Sequence, residues 1–386
     1  MLAAADYDGG AFDLPKCMSG DSKVVASGGS ACKTGDALGV DLFCGAGGMS
    51  LGATWAGVEV ALAIEKDPNA ARTYQHNHAT TRVFVEDIRR IEAINLKHGG
   101  RKRILFGGPP CQGFSTSNRR TRSKDNSNNW LFLEFVRFAD LWNPEWIVLE
   151  NVKGITDTEK GLFLDLIVAE FEKRNYAVSW WVLNASQFGV PQKRDRLFVI
   201  GSRTGGIPKK PSPPSDSTTV SVRSALSDLP GLKNGASVNF LPYRGTADSP
   251  YAQMMREQMT MSANHLVTNS APHIIERYRH VPQGGNWTDI PQKLMDNYSD
   301  RNRCHTGIYR RLKPDEPSVV IGNYRKNMLI HPHEDRGLSV REAARLQSFP
   351  DWYEFKGSIG FQQQQVGDSV PPLLAKAVFE SLMSET

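Results

Sequence analysis

Between residues 37 and 200 the chain alternates short apolar runs with stretches of helical spacing. The runs occupy 37–43, 58–64, 82–85, 104–106, 146–149, 178–183 and 197–200. Runs of this length, bounded by glycine, proline or charged residues, predict buried strands. Residues 130–142 instead space Leu131, Phe132, Phe135, Val136, Phe138 and Leu141 as one core-facing helix side, stopped at Asn143-Pro144. Residues 161–172 predict a second amphipathic helix. Alternating strands and helices predict an α/β fold. Beyond residue 205 the pattern dissolves into polar, loop-rich sequence, with a proline-rich linker at 208–214. It returns at Leu338, where Ser339 and Glu342 form a capping box for a helix turning Ala343, Ala344 and Leu346 inward. Residues 365–372 predict a turn, and Pro372 opens a last helix through Met383.

The ends of the apolar runs carry the chemistry. The first enters Cys44-Gly45-Ala46-Gly47-Gly48, the strand, glycine loop and helix of a nucleotide-binding unit. The second ends at Glu65, placed to accept from ribose hydroxyls. After the third, Asp87 is placed either to accept from an exocyclic adenine amine or to cap a turn. The fourth enters Gly107-Gly108-Pro109-Pro110-Cys111-Gln112-Gly113-Phe114-Ser115, a tight loop carrying a lone cysteine. Alone, that cysteine reads as a small buried hydrophobe; the other run ends favour a reactive thiol. The fifth places Glu150 at its tip, and Gln192, Arg194 and Arg196 alternate as if along one strand face lining a cleft.

Composition narrows the class. The 386 residues, 40% hydrophobic and 23% charged, are those of an ordinary globular chain. Residues 1–36, rich in Ala, Gly, Ser and Asp, predict a mobile tail without a secretory pattern, and no apolar stretch is long enough for a membrane span. The five scattered cysteines form no C-x-x-C pair, which argues against zinc or a disulfide framework and for a reducing, cytoplasmic setting. His331-Pro332-His333-Glu334 lacks metal-ligand spacing and reads as a solvated loop. Residues 202–340 hold 18 Lys or Arg against 12 Asp or Glu, while the whole chain carries +5. The excess positive charge therefore lies in the unpatterned segment. There Arg301, Arg303, Arg310, Arg311, Arg325 and Lys326 interleave with Tyr298, Tyr309 and Tyr324, a composition suited to nucleic acid.

The ordered motifs resemble those of the S-adenosylmethionine-dependent DNA (cytosine-5) methyltransferases of bacterial and phage restriction-modification systems. The motifs are Asp41-Leu42-Phe43-Cys44-Gly45-Ala46-Gly47-Gly48, Pro109-Pro110-Cys111-Gln112-Gly113, Glu150-Asn151-Val152, Gln192-Lys193-Arg194-Asp195-Arg196 and Gly367-Asp368-Ser369-Val370-Pro371-Pro372. The resemblance implies a Rossmann-like catalytic and cofactor-binding domain over 37–203 plus 336–386. It implies a smaller, loop-rich target-recognition domain over 204–335. It assigns Cys111 as the nucleophile that adds to cytosine C6, Glu150 as the carboxyl facing N3, and Arg196 as the cation near O2, supported by Arg194. It assigns S-adenosyl-L-methionine, released as S-adenosyl-L-homocysteine, to Phe43, Gly45, Gly47, Glu65, Asp87, Ile88, Pro110, Asp368 and Ser369. Asp368 stands where the family usually has Asn.

The implied partner is double-stranded DNA bound by a monomer, with the target base flipped out. A companion endonuclease is left open, and the implied location is the bacterial cytosol or nucleoid. Gln112, Ser115, Arg119, Arg120 and Arg122, in a basic loop that would close on DNA, are the implied contacts, with Arg303, Arg310, Tyr324 and Arg325 from the recognition domain. An RNA cytosine methyltransferase is the nearest alternative, but its Cys-Phe-Thr signature is missing: Cys304 is followed by His305-Thr306. A catalytically dead DNA-binding homologue conflicts with the full set Cys111, Glu150, Arg194 and Arg196.

Overall fold

The computed structural model describes residues 35–110, 130–157, 161–204, 206–214, 219–296, 307–322, 324 and 328–384. The expected tail, apart from its last two residues, and the basic loop after Cys111 lie outside them. Seven strands form the central sheet: β1 (Ala37–Leu42), β2 (Val58–Glu65), β3 (Arg82–Val85), β4 (Lys102–Gly107), β5 (Trp146–Val152), β6 (Ala177–Asn184) and β7 (Asp195–Ser202). Their order is β3-β2-β1-β4-β5-β7-β6. β1 to β5 pair in parallel, and β7 runs antiparallel between β5 and β6. This is the mostly parallel, Rossmann-like α/β sheet expected from the apolar runs. Both faces are covered, which is why β1, β2, β4 and β5 read as near-continuous apolar sequence.

The chain winds from β1 outward to β3, then returns to β4 on the other side of β1. Such a reversal opens a crevice at the carboxyl ends of β1 and β4. Helices α1 (Gly48–Trp55), α2 (Pro68–Asn77), α3 (Phe132–Trp142) and α4 (Leu162–Glu172) complete this half. Asp67 caps α2 by accepting from the Asn69 amide at 2.7 Å, with Pro68 at the first helical position. Phe132, Phe135 and Phe138 of α3 and Phe163 and Ile167 of α4 pack on one sheet face. Met49 and Ala53 of α1 and Leu374, Val378 and Phe379 of the terminal helix pack on the other.

The later chain adds short helices α5 (Val222–Leu226), α6 (Pro250–Arg256) and α7 (Pro272–Arg279), and small two-stranded pairings. Then come α8 (Val340–Leu346), α9 (Ile359–Asp368) and α10 (Pro372–Met383). The Ser339 and Glu342 capping box is formed, and Ala343, Ala344 and Leu346 are fully buried. Val222, Tyr251 and Met255 share an apolar cluster with Val340, Phe349 and Tyr353. Beneath it, fully buried Arg345 pairs with Asp228 at 2.9 Å and Asp351 at 2.5 Å.

Five expectations are corrected. Leu141 is 43% exposed, because it falls on the outer side of α3. Residues 365–368 are the last turn of α9 rather than the start of a loop. Gln192 and Arg194 precede β7, so the three polar side chains do not line one strand; Gln192 instead donates to Gln347 Oε1 at 2.9 Å. Tyr324 is core rather than a DNA-facing surface: it is 2% exposed and packs in the Val340–Phe349–Tyr353 cluster. Tyr309 is also buried, and Arg311 donates to the Val281, His331 and Tyr278 carbonyls, knitting the fold instead of facing solvent.

Candidate active site

The site lies at the carboxyl ends of β1, β2, β4 and β5. Between them these strands present a glycine loop, one acid and a second acid paired with an arginine. On the β1 side the chain turns at Phe43, which takes a left-handed φ of 60°. The Glu65 carboxylate accepts from the Gly45 amide at 2.9 Å and from the Asp67 amide at 2.8 Å. Two amide bonds leave further lone pairs on Glu65 for a ligand's hydroxyls. Burial nevertheless raises its carboxyl above the usual range. Among the described residues, nothing beyond its own chain neighbours lies within 4 Å of the place where a side chain on Gly45 would begin. Room above a glycine loop and an acid at the second strand end are the features with which an open α/β sheet holds a nucleoside-bearing ligand.

Ile88 is buried close to this edge. Asp87 caps the turn it opens: its side chain accepts from the Arg89 amide at 3.0 Å and from the Arg89 guanidinium at 2.9 and 2.5 Å. These bonds hold its carboxyl down at about 2. The capping alternative is thus realised, with Arg89 occupying both carboxylate oxygens.

On the β4–β5 side, Glu150 is 8% exposed and its Oε1 meets Arg196 Nε at 2.9 Å. The antiparallel register sets Val152 opposite Arg196 and Glu150 opposite Phe198. Arg196 and Glu150 are therefore diagonal neighbours on one sheet face. Burial pushes the Glu150 carboxyl up, and the charges of Arg196 and Arg194 pull against it without cancelling it. Burial also works against the charge on Arg196.

Gly108 lies over this pair. A Cβ there would stand 2.7 Å from Glu150 Oε2, so only glycine lets the loop cross the carboxylate without displacing it. Asn151 Nδ2 donates to the Pro109 carbonyl at 3.1 Å and ties the same loop to β5. Pro110 is the last described residue before Cys111, which lies outside the described residues, as do Gln112, Ser115, Arg119, Arg120, Arg122, Arg303 and Arg325. Arg310 is half-buried. Gly108 and Asn151 were not singled out from the sequence as site residues. Their signal was adjacency to Pro109-Pro110 and to Glu150.

Arg194 occupies a different position from Arg196. It is fully buried and donates to the carbonyls of Ile321 at 3.0 Å, Gly367 at 2.9 Å and Ser369 at 3.1 Å. It ties the C-terminal end of α9 and its cap Ser369 to the backbone at Ile321. Asp368 is the last residue of α9. Its surroundings raise its carboxyl, while a Gln364 bond and the charges of Arg194 and Arg196 oppose the rise.

The model of the C-5 cytosine-specific DNA methylase family matches residues 38–384. Type II methyltransferase M1.HphI of Haemophilus parahaemolyticus is 36% identical over 349 residues, covering 89% of this chain and 86% of its own. Type II methyltransferase M.DdeI of Desulfomicrobium norvegicum is 34% identical, covering 89% and 88%. A putative DNA modification methyltransferase from an E. coli prophage shares the fold, with a TM-score of 0.73 at 24% identity, covering 90% of this chain and 98% of its own. The match along nearly the whole sheet and its terminal helices places the chain in the C-5 cytosine-specific DNA methylase family, as a DNA (cytosine-5)-methyltransferase.

Proposed function

We propose that the protein methylates C5 of a flipped-out cytosine within one duplex DNA sequence, through a covalent adduct between Cys111 Sγ and cytosine C6. The observation that carries this reading is the buried Glu150–Arg196 pair directly beneath Gly108, three residues before Cys111. A carboxyl raised by burial can hold a proton toward N3 while Arg196 offers a cation to O2. Both functions draw electron density away from C6 and make it open to thiolate attack. The thiolate bond to C6 then turns C5 into an enamine carbon. S-adenosylmethionine supplies the electrophilic methyl and leaves as neutral S-adenosylhomocysteine. A base removes the C5 proton and the C6–Sγ bond breaks, returning the thiolate.

Phe43, Gly45, Gly47, Glu65, Ile88 and Pro110 are the proposed walls of the donor site, with Asp368 and Ser369 closing it. Asp87 joins them at the adenine end, where Oδ2 accepts a single bond from Arg89 and keeps a lone pair for an exocyclic amine. The mildly basic segment 204–335 is proposed as the target-recognition domain, reading base edges and gripping phosphates. The flipped base follows from the chemistry, since the thiolate and the methyl group must approach C6 and C5 from the ring faces, which neighbouring bases cover in the stack. The names of the curated relatives support a restriction-modification role. Among the described residues no helix is long and apolar enough to cross a membrane. The proposed setting is a monomer on DNA in the bacterial cytoplasm.

Bisulfite sequencing of DNA from a methylation-free host expressing the protein tests this reading. Protection of cytosines within one short sequence is expected. Complete conversion everywhere, with soluble protein present, contradicts it.

A further inference from the structure

The segment following α8 reaches back beneath the glycine loop. Tyr353 is fully buried, and its hydroxyl donates to the Ala46 carbonyl, 307 positions earlier in the chain. His78 Nε2 lies 3.1 Å from the same hydroxyl. With the hydroxyl proton given to Ala46, the imidazole must be the donor in that second bond. The His78 ring stacks on Tyr74 with centroids 4.3 Å apart. Tyr74 in turn donates to Ser50 Oγ at 2.7 Å, and Ser50 donates to buried Asp41 at 2.6 Å. The loop rests directly on the pair: a Cβ on Gly47 would stand 2.5 Å from His78 Nε2 and 2.7 Å from the Tyr353 hydroxyl.

Tyr353 is itself held from both sides. Glu354, the next residue, exchanges two bonds with Asn77 at the end of α2, at 2.8 and 3.0 Å. Arg341 of α8 donates to the Tyr353 carbonyl at 2.5 Å. The hydroxyl therefore has little freedom, and it sets the height of the Ala46–Gly47 turn.

We infer that Tyr353 and His78 are positioning residues for the methyl donor: they fix the Ala46–Gly47 turn so that Gly45 and Glu65 stand where the donor binds. The inference rests on the reading of that loop as the donor site. Neither residue reaches the cytosine side of the cleft, where Glu150 and Arg196 stand. Their loss acts on donor binding and leaves the chemical step intact.

Calorimetry with S-adenosylhomocysteine, together with steady-state kinetics on the duplex identified by bisulfite sequencing, tests this. Tyr353→Phe and His78→Leu are expected to weaken binding about ten-fold each, the effect of one buried hydrogen bond. They are expected to raise KM for the donor while leaving kcat and KM for DNA near wild type. His78→Gln, which restores an N–H donor, is expected to recover most of the affinity. Tyr251→Phe serves as the structural control, because it removes a buried hydroxyl bond of the same apolar cluster that ends on the Arg345 carbonyl and not on the loop. Wild-type affinity in Tyr353→Phe overturns the inference. So does a loss spread equally over both KM values and kcat and matched by Tyr251→Phe. If the wild-type protein itself fails to bind S-adenosylhomocysteine, the donor-site reading falls, and the inference with it.

Discussion

Arg196 and Glu150 meet at 2.9 Å across β7 and β5, with Gly108 lying over the carboxylate. The strand register sets this contact, and it leaves the second carboxylate oxygen facing the loop that carries Cys111. An acid whose proton is favoured by burial, beside a fixed cation, is the arrangement that activation of a neutral pyrimidine needs.

Replacing Glu150 by Gln keeps the size and removes the transferable proton. Methyl transfer should fall by about 10²–10⁴-fold, the usual worth of a positioned acid. Affinity for S-adenosylhomocysteine should stay unchanged, because Glu150 stands at the end of β5 and the glycine loop proposed to hold the donor at the end of β1. Single-turnover methylation and calorimetry on the same variant check the two halves.

Gly108→Ala puts a methyl group 2.7 Å from Glu150 Oε2, where the Arg196 pair prevents easy retreat. The chain should still fold, with a melting temperature close to wild type, while the rate of methyl transfer drops at least about ten-fold through a misplaced carboxyl. An unchanged rate would show that the loop can rise without disturbing the site.

The two arginines should separate cleanly. Arg194→Met breaks three carbonyl contacts at a fully buried position and should destabilise the fold by about 2–4 kcal/mol. Arg196→Lys keeps a charge near Glu150 and should retain stability while lowering turnover, since lysine lacks the guanidinium's fixed geometry. Denaturant unfolding and turnover measured on both variants decide the matter.

Acid should unfold the protein in a defined window. Burial lowers His78 and His265 from the ordinary value of 6.5 to about 4. Between those two values the unfolded chain takes up protons that the folded chain refuses, so stability falls as pH falls through the window. Each histidine contributes roughly 3 kcal/mol by this linkage. Glu342 extends the loss further down. Burial works to raise its carboxyl, but Arg336 overrides that and holds it at about 2, so its stabilisation disappears as pH drops from the ordinary carboxylate range toward that value. Urea unfolding at pH 7.5, 5.5 and 4.5 should show a progressively lower midpoint. The raised carboxyls of Glu65 and Glu150 oppose part of this loss, so the histidine share is read as the difference from His78→Gln; a midpoint shift in that variant equal to wild type contradicts a buried neutral His78.

The strands were legible because burial on both faces leaves little but apolar residues in β2, β4 and β5, and their tips stand out as the polar exceptions. α9 was not legible. Its inward residues include Gln362, Gln363 and Gln365, buried by hydrogen bonds to Asn264, Thr268 and Thr73 respectively, and hydropathy cannot register a helix held that way. The same reason hid the arginine framework of Arg341 and Arg345, whose charges are met inside the fold by carbonyls and by Asp351 and Asp228. It also turned Tyr324 and Arg311 from an apparent surface patch into core. At the candidate site Glu65, Glu150 and the Gly45–Gly47 loop could be read as strand ends, whereas the crossing of Gly108 over Glu150 could not. The division of work between Arg194 and Arg196 could not, because a two-residue spacing looks like one strand face until β7 is seen to begin at Asp195.

The claim on which the mechanism depends is that a thiolate at position 111 bonds to the target ring. Incubation with S-adenosylmethionine and duplex DNA carrying 5-fluorocytosine at the methylated position blocks loss of the C5 substituent and stops the reaction at the adduct. Denaturing electrophoresis and peptide mass spectrometry should then show one DNA strand covalently joined to the peptide containing Cys111, and no such product with Cys111→Ala. Methylation of ordinary substrate DNA by Cys111→Ala at the wild-type rate, or a crosslink mapping to another residue, would contradict the account.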